Sequence, residues 1–153
     1  AGKDTLIRIE NLEGSAYADK LTGDAAANSL NGGAGADVLT GAGGADQLTG
    51  GAGADKFVLT ALGDSAVGAR DTILDFSHAD GDKIDLSKID AAAGGKDNAF
   101  QLVGAFSNKA GELISVFEVD HYAVKGDING DGVADFAINV FSTTALTASD
   151  FVL

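Results

Sequence analysis

Apolar residues in the first third of the chain recur every nine positions. From residue 14 to residue 58 the chain divides into five consecutive nonapeptides, each beginning with Gly. The eighth position of each unit is a large apolar residue: Leu21, Leu30, Leu39, Leu48 and Phe57. A unit with one such side chain cannot bury it alone, so the pattern predicts repeats that stack and share an apolar ladder between two sheets.

The composition of each nonapeptide predicts a turn followed by a very short strand. The first positions are mainly Gly and Ala, and Gly accepts the positive φ angles that let the backbone bend sharply. The last three positions place the apolar residue between two neighbours that face the other way, as in a strand. If successive turns fall on alternate sides, units eighteen residues apart lie above one another.

The sixth position of every unit carries a carboxylate or an amide. Stacking predicts two columns of these side chains, one with Asp19, Asp37 and Asp55, the other with Asn28 and Asp46. Like charges about 4.8 Å apart repel one another, so the columns need a cation between the turns. Ca²⁺ suits mixed carbonyl and carboxylate ligands better than Mg²⁺, which prefers tight octahedral geometry. The pattern therefore predicts several bound Ca²⁺ ions, since a flexible linker would not hold Leu and Asp in phase.

The repeats resemble the RTX calcium-binding β-roll, and the chain is similar to the C-terminal domain of serralysin-type secreted proteins. Besides the repeats, the lead-in DTLIRIENLEGSAYADKLTG and then DTILDF, DGDKIDLS, DGVADFAI and DFVL follow in order. The resemblance implies an all-β fold, a parallel β-roll of glycine-rich nonapeptide repeats capped by a C-terminal β-sandwich-like region. We expect one domain over residues 1–153, with the roll at 8–64 and the cap at 65–153.

The resemblance also implies the calcium ligands. Backbone oxygens come from positions two and four of one turn and positions one and three of the turn eighteen residues later, with both sixth-position side chains. One implied set is Ser15, Tyr17 and Asp19 with Gly32, Ala34 and Asp37. Another is Gly33, Gly35 and Asp37 with Gly50, Ala52 and Asp55. On the other side the implied set is Asp24, Ala26 and Asn28 with Gly41, Gly43 and Asp46.

Extending the period beyond the repeats predicts sites at both ends of the roll. Glu10 and the carbonyl of Arg8 are expected to cap Gly23, Ala25 and Asn28. Asp64 is expected to close the last turn over Ala42, Gly44 and Asp46, and Asp71 to do so over Gly51, Gly53 and Asp55. Because Asn28 is neutral, its sites should bind calcium more weakly than sites with two carboxylates.

Outside the repeats, the acidic loop at residues 127–135 resembles the opening of an EF-hand loop. Its oxygen donors are Asp127, Asn129, Asp131, the carbonyl of Val133 and Asp135. Ile138 stands where that loop would have its bidentate Glu, so the ligand set is incomplete. Both a calcium site and a plain hairpin turn remain open.

Most of the remaining chain reads as strands. These runs are DKFVL, DTILDF, AFQLVGAF, ELISVFEV, HYAVKG and ADFAINVF, separated by polar loops. The acids between residues 75 and 90 form either another calcium loop or a solvated turn, and we favour the turn. One short helix is expected near Leu86–Ala92.

Composition narrows the functional classes. A net charge of −13 and a pI near 4.2 argue against nucleic acid and anionic membranes as partners. The chain has no Cys, so metal rather than disulfides is expected to hold it together. No apolar run approaches the roughly 20 residues of a transmembrane helix.

The final residues Asp150, Phe151, Val152 and Leu153 resemble the C-terminal signal that type I secretion machinery reads, although a plain final strand is the alternative. The first ten residues lack the apolar core of a signal peptide. We therefore expect a secreted, extracellular chain that carries an upstream catalytic or adhesive part.

Catalysis by the chain itself is not expected. It contains two His, His78 and His121, but neither an H-E-x-x-H nor a G-x-S-x-G motif. The leading hypothesis is a module for export that folds on Ca²⁺ binding outside the cell. A polysaccharide- or surface-binding module of a secreted epimerase or adhesin is an alternative, although the roll offers only Tyr17 and Phe57 as aromatics. A third possibility is the C-terminal part of a serralysin-like metalloprotease or lipase.

Overall fold

The computed structural model describes residues 10–92 and 98–153. The predicted ligand Arg8 lies outside the described residues. Within these ranges, β-strands are accompanied by two short 3-10 helices, Leu62–Ser65 and Ala148–Asp150. The all-β prediction is confirmed.

The strands form two sheets. The first eight are β1 (Asn11–Glu13), β2 (Lys20–Thr22), β3 (Ser29–Ala34), β4 (Val38–Thr40), β5 (Gln47–Ala52), β6 (Lys56–Val58), β7 (Thr72–Phe76) and β8 (Lys83–Asp85). The others are β9 (Gln101–Leu102), β10 (Glu112–Glu118), β11 (His121–Asp127), β12 (Phe136–Ser142) and β13 (Phe151–Val152). The larger sheet has the order β1-β3-β5-β7-β12-β11-β10-β9, and the smaller sheet has the order β13-β8-β6-β4-β2.

The predicted eighteen-residue stacking is present in both sheets. Leu12 pairs with Leu30 and Leu30 with Leu48 in the larger sheet, all in parallel register. In the smaller sheet Leu39 pairs in parallel with Leu21 and with Phe57. The side chains of Leu30, Leu39, Leu48 and Phe57 are fully buried between the sheets, so stacking forms the ladder that a single repeat cannot form.

Strand length differs between the two sides of the roll. β2, β4 and β6 have the expected three residues, whereas β3 and β5 have six. The extra residues belong to the following glycine turn, where Gly33 pairs with Gly51 and Ala34 with Ala52. Small residues let these turn backbones approach closely enough to continue the ladder.

The C-terminal strands extend the larger sheet of the roll. β12 pairs in parallel with β7, and β11 and β10 follow as antiparallel hairpin strands. Their buried residues, including Leu113, Val124, Phe136 and Ile138, belong to the same core as the Leu ladder. This region therefore covers the last rung, while β13 adds to the smaller sheet beside β8. The domain division at residue 64 stays a prediction, since both sheets run on through β7 and β8.

The expected helix near Leu86–Ala92 is wrong. The backbone N–H and hydroxyl of Ser87 both donate to Asp85 Oδ1, and the Ile89 N–H donates to the Leu86 carbonyl, which together form a turn. A short acidic side chain that accepts from the backbone two residues on competes with helix formation. No helix among the described residues is long and apolar enough to cross a membrane.

Candidate metal centre

The last three glycine turns share an unusual backbone geometry. Positions two and four have positive φ in each, with Gly33 at 96° and Gly35 at 129° in the third turn. The fifth turn repeats this with Gly51 at 93° and Gly53 at 131°. In the fourth turn Gly44 has φ 122°, and Ala42 adopts φ 68° although it is not Gly. Such angles are readily accessible only to Gly.

At Gly33, Gly51 and Gly53 the stacked turns approach so closely that no side chain fits between them. A Cβ added to Gly33 would lie 2.4 Å from the carbonyl oxygen of Ser15. One added to Gly51 would lie 2.0 Å from the Gly33 oxygen, and one on Gly53 would lie 1.8 Å from the Gly35 oxygen. The space between turns is therefore a cradle of backbone carbonyl oxygens, the donors that Ca²⁺ accepts.

The two predicted columns of sixth-position side chains are confirmed. Asp37 Oδ1 accepts the backbone N–H of Asp19 at 2.7 Å, and Asp55 Oδ1 accepts that of Asp37 at 2.8 Å. In the other column Asp46 Oδ1 accepts the N–H of Asn28 at 2.7 Å. One oxygen of each of these carboxylates thus joins its turn to the turn on which it stacks, eighteen residues earlier in the chain.

The second oxygen of these carboxylates has no protein partner. Oδ2 of Asp37, Asp46 and Asp55 is buried without a hydrogen bond, and each residue is only 1 % exposed. Burying an unpaired charge is costly, and burial raises the pKa of both Asp46 and Asp55. These oxygens fit a divalent cation held between the turns.

The donor set indicates the kind of metal. Within residues 10–92 and 98–153, no three His, Cys, Asp or Glu side chains gather into a site made of side chains alone. The turns provide carbonyl oxygens and a few carboxylates, without nitrogen or sulfur donors. An oxygen-only set of this kind suits Ca²⁺ rather than Zn²⁺ or another softer metal.

The closing residue predicted for the last turn is wrong. Asp71 does not lie over Gly51, Gly53 and Asp55, since its Oδ1 accepts the backbone N–H of Asp46 at 3.1 Å. Asp82 Oδ1 instead accepts the N–H of Asp55 at 3.0 Å. Gly81 (φ 94°) packs over Ala54, so residues 77–82 stack on the fifth turn. The columns therefore continue as Asp46–Asp71 and Asp55–Asp82.

The eighteen-residue stacking period missed Asp82 because the loop after β6 interrupts the repeat. The sequence separations are 25 residues from Asp46 to Asp71 and 27 from Asp55 to Asp82, not eighteen. Asp75 was also missed as a structural residue, since its two oxygens accept the N–H groups of Gly50 and Gly51. The run of acids from residue 75 to residue 82 is the signal that could have found both.

Asp64 lies near the column that it was predicted to close. Its Oδ2 accepts the backbone N–H groups of Thr60 and Ala61 and the Thr60 hydroxyl. Its negative charge helps to raise the pKa of Asp46, after the larger effect of burial. Whether Asp64 ligates a metal stays a prediction.

The other predicted ligands lie in the turns, as expected. Glu10 is exposed before β1, and its carbonyl accepts the Ser29 N–H. The carbonyls of Ser15 and Ala52 already accept backbone N–H groups, from Ala34 and Gly35, which leaves each one lone pair. The remaining predicted backbone ligands lie in the turns or, for Gly32, Ala34 and Gly50, in the ends of β3 and β5 that continue into the turns: Tyr17, Gly23, Asp24, Ala25, Ala26, Gly32, Ala34, Gly41, Ala42, Gly43, Gly44 and Gly50.

The loop at residues 127–135 connects β11 and β12, as the hairpin alternative expects. Asp127 accepts N–H groups from Gly130 and Gly132, and Asp131 accepts that of Val133. Asn129 accepts the Asp131 N–H, while Asp135 accepts that of Ile128. The loop's own N–H groups thus satisfy these side chains, so calcium binding here stays a prediction and the hairpin is sufficient.

Stacked glycine turns with carboxylate columns define a parallel β-roll of the RTX type. The chain belongs to the family described as Peptidase M10 serralysin C terminal, whose model matches residues 5–153. This is a family of secreted proteins, which makes the chain extracellular.

Two curated relatives are 43 % identical over 93 residues: the metalloprotease AprA of Pseudomonas entomophila (strain L48) and the metallopeptidase AprA of Pseudomonas marginalis. Each alignment covers 60 % of this chain, but only 19 % and 18 % of the respective relative. The matched region is thus about a fifth of the length of these relatives.

Two solved structures share the fold, both from the mannuronan C5-epimerase of Azotobacter vinelandii. The AlgE6R2 subunit is 24 % identical with a TM-score of 0.60, covering 95 % of this chain and 94 % of the subunit. The AlgE6R3 subunit is 23 % identical with a TM-score of 0.53, covering 98 % and 86 %. At such identities the likeness concerns the fold alone.

Proposed function

We propose that this chain is a non-catalytic calcium-binding module that folds when Ca²⁺ binds outside the cell. It carries the C-terminal type I secretion signal for an upstream part of the same polypeptide. The observation that carries the proposal is the buried, unpartnered Oδ2 of Asp37, Asp46 and Asp55 in closely stacked glycine turns.

Without a cation the folded roll must bury carboxylates against one another. The cost is clearest at Asp71, where burial, with further contributions from the charges of Asp46 and Asp64, raises the pKa to about 8. Bound Ca²⁺ supplies the positive charge that offsets this repulsion, and its binding energy becomes folding energy. One site at a free concentration of 100 times its Kd stabilises the fold by about 2.7 kcal/mol.

The proposed sites combine the turn oxygens with pairs of sixth-position side chains. These pairs are Asp19 with Asp37, Asn28 with Asp46, and Asp37 with Asp55. At the end of the roll we propose Asp46 with Asp71 and Asp55 with Asp82, in place of the expected pairing of Asp55 with Asp71, while Asp64 stays a proposed ligand beside Asp46. At the low calcium concentration inside the cell the chain would be unfolded, which suits passage through a secretion channel. The type I secretion machinery is proposed to recognise the final four residues.

The polysaccharide-binding alternative has less support. Phe57 lies fully buried in the ladder, so of the two aromatics in the repeats only Tyr17 is exposed. Sugar binding commonly needs several exposed rings along one face, and the repeats do not provide them.

A calcium titration followed by circular dichroism tests the proposed function. We expect a metal-stripped sample at neutral pH to show little β signal and to gain it cooperatively as Ca²⁺ is added. EDTA should reverse the change, and equimolar Mg²⁺ is the matched control that should not reproduce it. A stripped sample with an unchanged spectrum and melting curve would refute the proposal.

A further inference from the structure

The turn at residues 77–82 is the last in its column, and among the described contacts no later carboxylate fastens it, unlike the five repeat turns. Each earlier turn is fastened by the carboxylate of a later one, as Asp37 fastens the backbone of Asp19. Asp82 is the last member of its column. Something other than a following repeat must therefore hold this turn in place.

The carboxyl-terminal segment supplies that support through His78. His78 Nδ1 lies 2.7 Å from Oδ1 of Asp150, a residue only 3 % exposed. Asp150 is itself fixed, because its Oδ2 accepts both the N–H and the hydroxyl of Thr147. The ring of His78 packs edge-on against Phe76, with a centroid separation of 5.4 Å.

β13 anchors Asp150 to the roll. Phe151 pairs with Ile84 and Val152 with Asp85, and the Leu86 N–H donates to the Val152 carbonyl. Lys83 Nζ also donates to the carbonyl of Ser149 at 2.7 Å. These contacts hold the carboxyl-terminal segment in place independently of its contact with His78.

From His78 the contacts run to the metal cradle. The His78 carbonyl accepts the Gly81 N–H, and Asp82 Oδ2 accepts the Ser77 N–H. Asp82 Oδ1 then holds the N–H of Asp55, whose own Oδ2 is unpartnered. His78 Nε2 is buried without a partner, so among the described contacts Asp150 is the one hydrogen bond that orients the ring.

We propose that His78 and Asp150 are positioning residues for the last metal site of the roll, so that the carboxyl-terminal strand sets calcium affinity there. The inference rests on the proposed calcium binding. By linkage, calcium in this site stabilises the docked carboxyl-terminal strand by the same factor. The residues proposed as the secretion signal are then docked when the last turn is occupied and freer when it is not.

Residue-resolved NMR of the full chain during a Ca²⁺ titration tests this proposal. The amides of Gly53 and Gly81 report the last site, and those of Gly23 and Gly43 report the other column. We expect His78→Ala to raise the calcium midpoint at Gly53 and Gly81 about tenfold, because loss of a residue that orients a metal ligand typically weakens binding by that much. The midpoint at Gly23 and Gly43 should not change.

Two conservative variants separate positioning from simple packing. His78→Asn places an amide N–H near the Nδ1 position and should restore most of the affinity, whereas His78→Gln places it near Nε2 and should not. His121→Ala is the matched control, since His121 also pairs through Nδ1 with a carboxylate, that of Asp120, at 2.8 Å. It should leave both pairs of amides unchanged.

The outcomes distinguish this proposal from the proposed function. Equal midpoints in wild type, His78→Asn and His78→Gln, or equal shifts at all four glycines, would overturn the positioning role while leaving calcium binding intact. If His78→Ala fails to fold at saturating Ca²⁺, the comparison of the Asn and Gln variants decides. No calcium response at any glycine of the wild-type chain would instead refute the proposed function and this inference with it.

Discussion

The first turn of the roll and the last three differ in what their sixth-position carboxylates bind. In the first turn Asp19 Oδ2 accepts both the N–H and the hydroxyl of Ser15, and these bonds lower the pKa of Asp19. In the later turns Oδ2 of Asp37, Asp46 and Asp55 has no partner. The first turn is thus satisfied by its own atoms, whereas the later turns are not.

The difference follows from positions two and four of the repeat. The later turns have positive φ at both positions, and with one exception these residues are Gly. The first two turns carry Ser15 and Tyr17, then Asp24 and Ala26, and none of these four residues has positive φ. Glycine at those positions lets the turn carbonyls converge and keeps side-chain donors away, so glycine content indicates which turns depend on metal.

Replacing one carboxylate in each region should give the largest contrast. Asp37→Asn removes charge from a residue shared by two proposed sites, and we expect it to raise the calcium midpoint of folding more than tenfold, about 1.4 kcal/mol or more. Asp19→Asn, the matched change in the first turn, should raise it less than about threefold. Circular dichroism titrations of both variants measure this, and equal shifts would contradict the distinction between the regions.

Lowering the pH should stabilise the last part of the roll in the absence of calcium, because protonation removes carboxylate charge there. The pKa of Asp71 is raised to about 8 from an unfolded value near 3.8, mainly by burial, so its protonated form stabilises the fold. That contribution is complete below about pH 4 and is lost as pH rises through about 8. In EDTA, β signal should therefore increase as pH falls from 8 to about 5. Asp71→Asn is the control that should reduce this pH dependence, and a decrease of signal over the same range would oppose the prediction.

Asn28→Asp should make the second turn more like the later ones. Asn28 is buried, its Nδ2 has no partner, and it lies against Asp46, so a carboxylate there adds a charged ligand and removes an unsatisfied donor. We expect calcium affinity at Gly23 and Gly43 to increase on the order of tenfold, measured by NMR titration. In EDTA the same variant should be less folded because it adds repulsion to the column. Unchanged affinity would show that the backbone of this turn, rather than the side chain, limits binding.

The smallest effect is expected at Ala42, the one residue other than Gly at positions two and four of the last three turns. Ala42 adopts φ 68°, where its counterparts Gly33 and Gly51 are unstrained. Ala42→Gly should relieve about 1 kcal/mol of backbone strain but increase unfolded-state entropy, for a net gain of about 0.5 kcal/mol in calcium-saturated stability. Thermal melting measures the gain, and Ala25→Gly at a position without positive φ is the control that should give none.

The nine-residue pattern determined the architecture of the roll from sequence alone. Each repeat contains its own turn residues and its own ladder residue, so stacking of Leu30 on Leu48 and of Asp37 on Asp55 follows from a regular count. The regular count also identified the carboxylates whose second oxygen is left unpartnered, because phase decides which side chains face the cradle.

Only the tertiary structure decided how the roll ends. After β6 the repeat is interrupted, and the carboxylate that stacks on Asp46 or Asp55 depends on which strand joins each sheet next. β7 pairs with β5 and β8 with β6, and this brings Asp71 and Asp82 to their places. The contact between His78 and Asp150 spans 72 residues and has no counterpart in any local pattern. Such contacts depend on strand pairing between distant segments, which spacing along the chain does not encode.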